Sequence, residues 1–425
     1  MLGAVLSRLR RFRRIFILLA VVGPGLITTN AGNDAGAIAT YSQAGAEFGL
    51  KMVWVLVLIT VSLAVVNEMG ARMGVVTGKG LADLVRERFG VRSTAFAMLL
   101  LLIANAVTTM AEFAGIGAAL EIFGISRYFT VPVMAVAIWL LVVRGSYPLV
   151  EKVLLSIGVV YLSYVVAGFL AGPDWGRVAR SAVLPEVAVT RTYFLLAIGL
   201  IGTTIAPWML FYLQSSVAEK GIPDEQLGYS RADAISGAVF ADVVAFFIIL
   251  ASAIALYGHI PGARLGDMQA ADYARALAPA AGGAAALLFA FGLFGASTLS
   301  GGVVPLSTAY TVTEAFGWER GVGQRFADAP AFFGIFTGVI ALGVVAVLIP
   351  GVPLVQLILL SQEINGLILS AILVYILLLV NDRRIMGRYV NGPVANLVAV
   401  LTVTGLIVLT ALFLLSTLPG MPFSG

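Results

Sequence analysis

The chain has no cysteine, a single histidine, His259, and only 11% charged residues. Without cysteine there is no disulfide, no thiolate metal site and no catalytic thiol. One histidine, in "YGHIPGARLG" between apolar segments, reads as a surface residue and builds neither a zinc cluster nor an H-E-x-x-H motif. No nucleophile has a base beside it to activate it. The chain is therefore expected not to be an enzyme and to hold no resident cofactor. The scarcity of charge also excludes a soluble globular domain: 60% of the 425 residues are hydrophobic and the mean hydropathy is +1.01.

What is present is long and apolar. About 20 apolar residues cross roughly 30 Å of hydrocarbon as a helix. Eleven runs qualify: 15–48, 52–69, 95–122, 128–143, 148–171, 192–216, 233–257, 277–315 (overlong, with Gly and Pro inside), 330–349, 353–380 and 392–417. They are continuous, whereas barrel strands alternate every second residue, so the expected class is all-α and polytopic. The connections are short, the longest being 70–93 and 172–191, so one membrane domain covers residues 1–425 with the lipid bilayer as its surroundings. The net charge of +4 and pI near 9.3 need no nucleic acid. Most Lys and Arg fall on one side of the spans, which places the basic N-terminus, 1–14, in the cytoplasm and, after eleven crossings, the C-terminus outside, in a plasma or bacterial inner membrane. The basic start resembles a signal peptide but lacks an A-x-A cleavage signature. Nothing in the sequence calls for an obligate protein partner.

Two spans are interrupted, the first at "GPGLITTNAGNDAGA" (23–37) and the sixth at "GLIGTTIAPW" (199–208). Lipid cannot satisfy unwound backbone, so breaks at that depth line a cavity or bind something, unless they are only kinks packed with small residues. Gly- and Pro-interrupted helices at corresponding places in two halves point to an inverted-repeat transporter with its site near the midplane. The halves are 15–171 and 192–380, with 392–417 an additional helix. Asp34, in the first break, is an acid that membrane depth makes costly unless it meets water, a partner or an ion; it also suits the cap of a half-helix beginning at Ala35.

The run Asp34-Ala35-Gly36-Ala37-Ile38-Ala39-Thr40, with Gly45-Ala46 and Gly49 beyond it, resembles the first-helix motif D-P-G-N-x-A-T of the NRAMP divalent-metal transporters. "ARMGVVTGKGLADLVRERFG" (71–90) and "SQEINGLILSAILVYILLLVNDRRIMG" (361–387) resemble that family's segment after its second helix and its tenth helix with the following loop. The resemblance implies a leucine-transporter-like fold of two inverted five-helix repeats, with a divalent metal bound between unwound helices one and six. It implies Asp34 as metal ligand, backbone oxygen from Ala37 and Thr203, and the Gln362 amide on the tenth helix. Glu363 and Asn365 are accessory polar residues there; Glu363 points about 100° from Gln362, so it is either a second carboxylate near the ion or a packing partner.

Departures from the family pattern carry a further expectation. Ala37 stands where the family has Asn, and Ala206-Pro207-Trp208 where it has Met-Pro-His. Loss of the thioether favours a hard, partly hydrated ion over a soft one, which resembles the NRAMP-related magnesium branch. The expected cargo is Mg2+, with Mn2+ possible if the alanines only repack the site. Thr109 stands at the helix-three Asp position and Trp208 at the His, so transport without proton coupling is expected, although Glu112 matches the acid that follows. The alternatives are a proton-coupled Mn2+/Fe2+ transporter of the NRAMP type, a cation channel, or a carrier for sodium with an organic substrate. Asp242 is either a structural hydrogen-bond partner or part of an ion path, and Glu68 and Glu121 are read as solvated helix-end acids.

Overall fold

The computed structural model describes residues 28, 32–144, 162–260, 267–275, 278, 282 and 285–416. Its described elements are helices: α1 Ala35–Phe48, α2 Val53–Thr77, α3 Leu81–Glu121, α4 Arg127–Arg144, α5 Leu162–Leu170, α6 Trp175–Val183, α7 Arg191–Thr204, α8 Pro207–Glu219, α9 Leu227–Ala255, α10 Ala270–Ala274, α11 Ala285–Phe316, α12 Pro330–Leu348, α13 Leu354–Val380, α14 Arg383–Met386 and α15 Pro393–Ser416, with two short 3-10 turns. Nine spans among the described residues, counting α7 with α8 as one, are long and apolar enough to cross a membrane. Much of the expected first and fifth spans lies outside the described residues, so the count of eleven stays an expectation.

Both expected breaks are present where they can be seen. The chain is non-helical at Asn33 and Asp34 before α1 begins. Between α7 and α8, Ile205 (φ −116°, ψ 66°) and Ala206 (φ −69°, ψ 138°) leave the helical region. Pro207, lacking an N–H, then starts α8 at its first position, where that donor is not needed.

Small residues let these half-helices come close. A Cβ on Gly202 of α7 would lie 2.3 Å from Gln362 O and from Gly366 N on α13; one on Gly366 would lie 2.3 Å from Ile198 O. A Cβ on Gly45 of α1 would lie 2.4 Å from Ile249 O on α9. In lipid, where apolar side chains gain little by meeting, such backbone contact is what holds helices together. The core is built from α1, α3, α7, α8, α11 and α13, with α4, α12 and α15 turned largely outward.

The connection expected at 70–93 is mostly helical, and about half of that at 172–191 is. The second span runs on to Thr77, and α3 starts at Leu81 and bends at Gly90, whose φ of 77° favours glycine. Leu81, Ala82, Leu84 and Val85 are buried, so this stretch is amphipathic and too polar on average to read as a span. The overlong 277–315 run is helical from Ala285.

Glu68 is not a solvated acid: it pairs with Arg72 at 2.9 Å and with Arg231 of α9 at 2.7 Å. Arg72, only 4% exposed, also donates to Tyr389 O at 2.6 Å and to Asn391, clasping the segment before α15 onto α2. Glu121, 43% exposed with Arg127 at 3.8 Å, does lie at a wet helix end, and His259 sits exposed in a turn. Outside the spans, the Arg384 backbone N–H and the Arg88 guanidinium, 2.5 Å away, hold the Asp382 carboxyl below its ordinary range.

Candidate functional site

Asp34 caps α1. Its backbone is extended and its Oδ1 accepts the Ala37 N–H at 2.7 Å, which satisfies one of the donors left open at a helix start. The neighbouring donor, Ala35 N–H, goes to Glu112 Oε2 of α3 at 3.3 Å. Glu112 is thus brought to the first turn of α1, beside Asp34. A cation reaching this point meets two carboxyl groups and not one.

Gln362 of α13 closes the site from the other side. Its amide lies against Gly36, where an added Cβ would sit 1.7 Å from Nε2. Asn365, one turn on, donates from Nδ2 to Thr108 Oγ1 at 2.8 Å and to Gln362 Oε1 at 3.3 Å, so it orients the glutamine. The backbone of Gln362 meets Gly202, next to Thr203 and the α7 break. One residue therefore joins the start of α1 to the end of α7.

Among the described residues, three buried oxygens around this meeting point have no hydrogen-bond partner: Glu112 Oε1, Asn365 Oδ1 and Thr203 Oγ1. Unsatisfied buried oxygens are uncommon and expensive, and a cation is one partner that would relieve them. Asp34, Ala37, Thr203, Ala206, Gln362 and Glu112 are all at most 1% exposed, so the arrangement is shut off from solvent. Among the described residues no three His, Asp or Glu side chains gather to hold a metal. Any ion here relies on amide, hydroxyl and backbone oxygen around its carboxylates.

Other candidates lie elsewhere. Glu363 is half-buried and its Cγ, with Thr40 Cγ2, lies over Gly199, more than a turn along α7 from the break; the charge facing it is Arg191. Glu363 thus lies along α7 from the place where Gln362 meets Gly36. Thr109 gives its hydroxyl to Asn105 O at 2.8 Å and turns its methyl to Gly343 of α12. Trp208 is fully buried and its indole N–H has no partner among the described residues. Asp242, 4% exposed in α9, has Thr60 as its polar neighbour, whose hydroxyl hydrogen goes to Leu56 O at 2.8 Å. Thr60 keeps an oxygen lone pair for a protonated Asp242, so a structural partner and an ion path both remain readings of this acid.

One residue changes the expected chemistry. A Cβ on Gly32, two residues before Asp34, would lie 2.8 Å from Met209 Cε and 2.9 Å from Met209 Sδ. A thioether therefore lies against the first break although Ala206 carries none. The expectation of a site with no sulfur near it is therefore qualified: a thioether stands beside Gly32, two residues from Asp34. The signal was available in the sequence, since Met209 follows Ala206 by three residues and so falls on the same side of α8. Tyr41, whose OH and Thr204 Oγ1 share a hydrogen bond at 2.8 Å across the two broken spans, was also not singled out by the sequence.

Interrupted helices meeting at a buried polar cluster define a helical membrane protein of the broken-helix type. The description "Natural resistance-associated macrophage protein-like" matches residues 25–416, and the chain belongs to this Nramp family. It is 28% identical to the divalent metal cation transporter MntH of Verminephrobacter eiseniae over 97% of this chain and 93% of that protein. It is 30% identical to the MntH of Ralstonia nicotianae over 90% and 87%. Among solved structures, a manganese transporter of Eremococcus coleocola shares the fold with a TM-score of 0.75 at 21% identity, covering 94% of this chain and 86% of that one. Mhp1, a nucleobase-cation-symport-1 transporter, gives 0.55 at 16% identity, over 93% and 92%.

Proposed function

We propose that this chain carries divalent metal ions across a membrane by alternating access, with a manganese-class transition ion as its cargo. The observation that carries the reading is the cluster of unsatisfied buried oxygens between Asp34, Gln362 and the α7 break. Asp34 supplies charge, Ala37 and Thr203 backbone oxygen, and Gln362 or Asn365 an amide oxygen; the end of α7 turns its carbonyls toward a cation. Ala206 leaves the space in front of α8 free of a side-chain donor, and Met209 brings the soft one. The names borne by the relatives, divalent metal cation and manganese transporters, favour the same ion. A channel draws no support from ligands that are at most 1% exposed.

Proton coupling belongs with this reading. Glu112 beside Asp34 gives the site a second acid that can take or release a proton as the dication arrives, despite Thr109 and Trp208. The basic residues favour a cytoplasmic N-terminus, and 15–171 with 192–380 as the two repeats. A second reading, partly hydrated Mg2+, is favoured by one observation: Ala37 and Ala206 offer no side-chain ligand. Uptake by proteoliposomes with Mn2+, Mg2+ and Ca2+ in competition separates them. Mn2+ saturating first supports the main reading; Mg2+ uptake undisturbed by excess Mn2+ supports the second; indifference to all three ends both.

A further inference from the structure

At the Lys51 end of α2, opposite the Arg72 clasp, two cavities adjoin. One, of about 420 Å3, lies between the α1–α2 turn and α6 and is lined by Lys51, Arg177, Arg180, Ser181, Asp174 and Tyr257. Among the described residues its three cations make no ion pair, and the Asp174 carboxylate is already engaged as the α6 cap, accepting Gly176 N–H at 2.9 Å and Arg177 N–H at 3.2 Å. Even with Glu186 at the rim, the cavity is left positive. The other, of about 590 Å3, is an apolar groove walled by α2, α7 and α15, through Leu58, Ala197, Ile201 and Leu401, and it reaches Ile205 at the α7 break.

Tyr193 joins them. Its ring lines the groove and its OH donates toward Lys51 O at 3.5 Å and Glu186 O at 3.3 Å, both residues of the basic cavity. The adjoining chain between α6 and α7 exposes Val183, Leu184, Val187 and Val189, more than half of each surface. Trp175, 46% exposed, stands 5.4 Å from Phe169, in the manner of an aromatic at the membrane interface. A cationic cavity bridged by Tyr193 to an apolar furrow complements a molecule with an anionic head and a long tail.

We propose that this is a specific site for an anionic phospholipid, its phosphate held by Lys51, Arg177 and Arg180 and one acyl chain lying along α7. The tail then packs beside the half-helix whose end forms the metal cluster, so lipid occupancy bears on how freely α7 moves. The site does not depend on which ion is carried.

The test uses the purified full chain in detergent, with dioleoyl phosphatidylglycerol, dioleoyl phosphatidylcholine or inorganic phosphate added, read by native mass spectrometry and thermal unfolding. Phosphatidylglycerol should be retained and raise the unfolding midpoint where phosphatidylcholine does not. Lys51→Glu with Arg177→Glu and Arg180→Glu should abolish that preference. Gly405→Trp, at an open position on lipid-facing α15, should fill the groove and weaken phosphatidylglycerol retention, which keeps the test standing if the charge-reversed chain does not fold. Equal retention of the two lipids overturns the proposal. So does phosphatidylglycerol binding unchanged in either variant, or a shift reproduced by inorganic phosphate alone, which would mark a free-anion site.

Discussion

The Gln362 side chain lies across Gly36, so close that a methyl group at Gly36 would fall 1.7 Å from Gln362 Nε2. The contact locks α13 to the first turn of α1 and only glycine permits it. Gly36→Ala should displace the amide, with an overpacking cost of about 1–3 kcal/mol, and reduce metal uptake to background. Adding Gln362→Ala should restore the unfolding midpoint without restoring uptake. Recovery of transport in the double variant would show that the glutamine only fills space.

Asp34 has two roles that one substitution separates. Asparagine caps a helix about as well as aspartate, so Asp34→Asn should leave the unfolding midpoint nearly unchanged. Calorimetric metal binding and uptake should both be lost. Retained binding would place the ion elsewhere.

The thioether beside Gly32 makes the choice of ion testable. Met209→Leu keeps volume and apolarity, a swap that costs under ~1.5 kcal/mol in most cores. It should weaken Mn2+ binding while leaving Mg2+ binding where it was. Equal loss for both ions, or for neither, would exclude the sulfur as a donor.

Glu112 faces Asp34 with one oxygen taken by the Ala35 N–H, so it is the acid placed to exchange a proton near the ion. A pH-sensitive dye inside proteoliposomes should report acidification that accompanies Mn2+ uptake. Glu112→Gln should remove the acidification. Unchanged proton movement would shift the role to another acid, with Asp242 the next buried carboxylate to examine.

Much of this architecture was legible in the sequence because membrane helices announce themselves by length and apolarity, and a break shows as Gly, Pro or Asp where neither belongs. Asp34, Thr203 and Gln362 followed from the broken spans and the family motif. Glu112 was legible as a residue but its position was not, since only the packing of α3 on α1 takes it to Ala35 N–H. Met209 carried no motif of its own, and only the approach of α8 to the first break brings its sulfur against Gly32. Amphipathic segments such as the start of α3 were hidden by averaging, which cancels a buried face against a polar one. The exposed valines before α7 had no pattern to set them apart from any other membrane residue.

The most direct measurement is competitive uptake into proteoliposomes containing the unmodified chain and, in parallel, Asp34→Asn. Mn2+ uptake that saturates, is outcompeted poorly by Mg2+ and Ca2+, and vanishes in the variant is the result expected of a site built from Asp34, Gln362 and Met209. Mn2+ uptake that persists in Asp34→Asn, or a chain that moves none of the three ions, would contradict it.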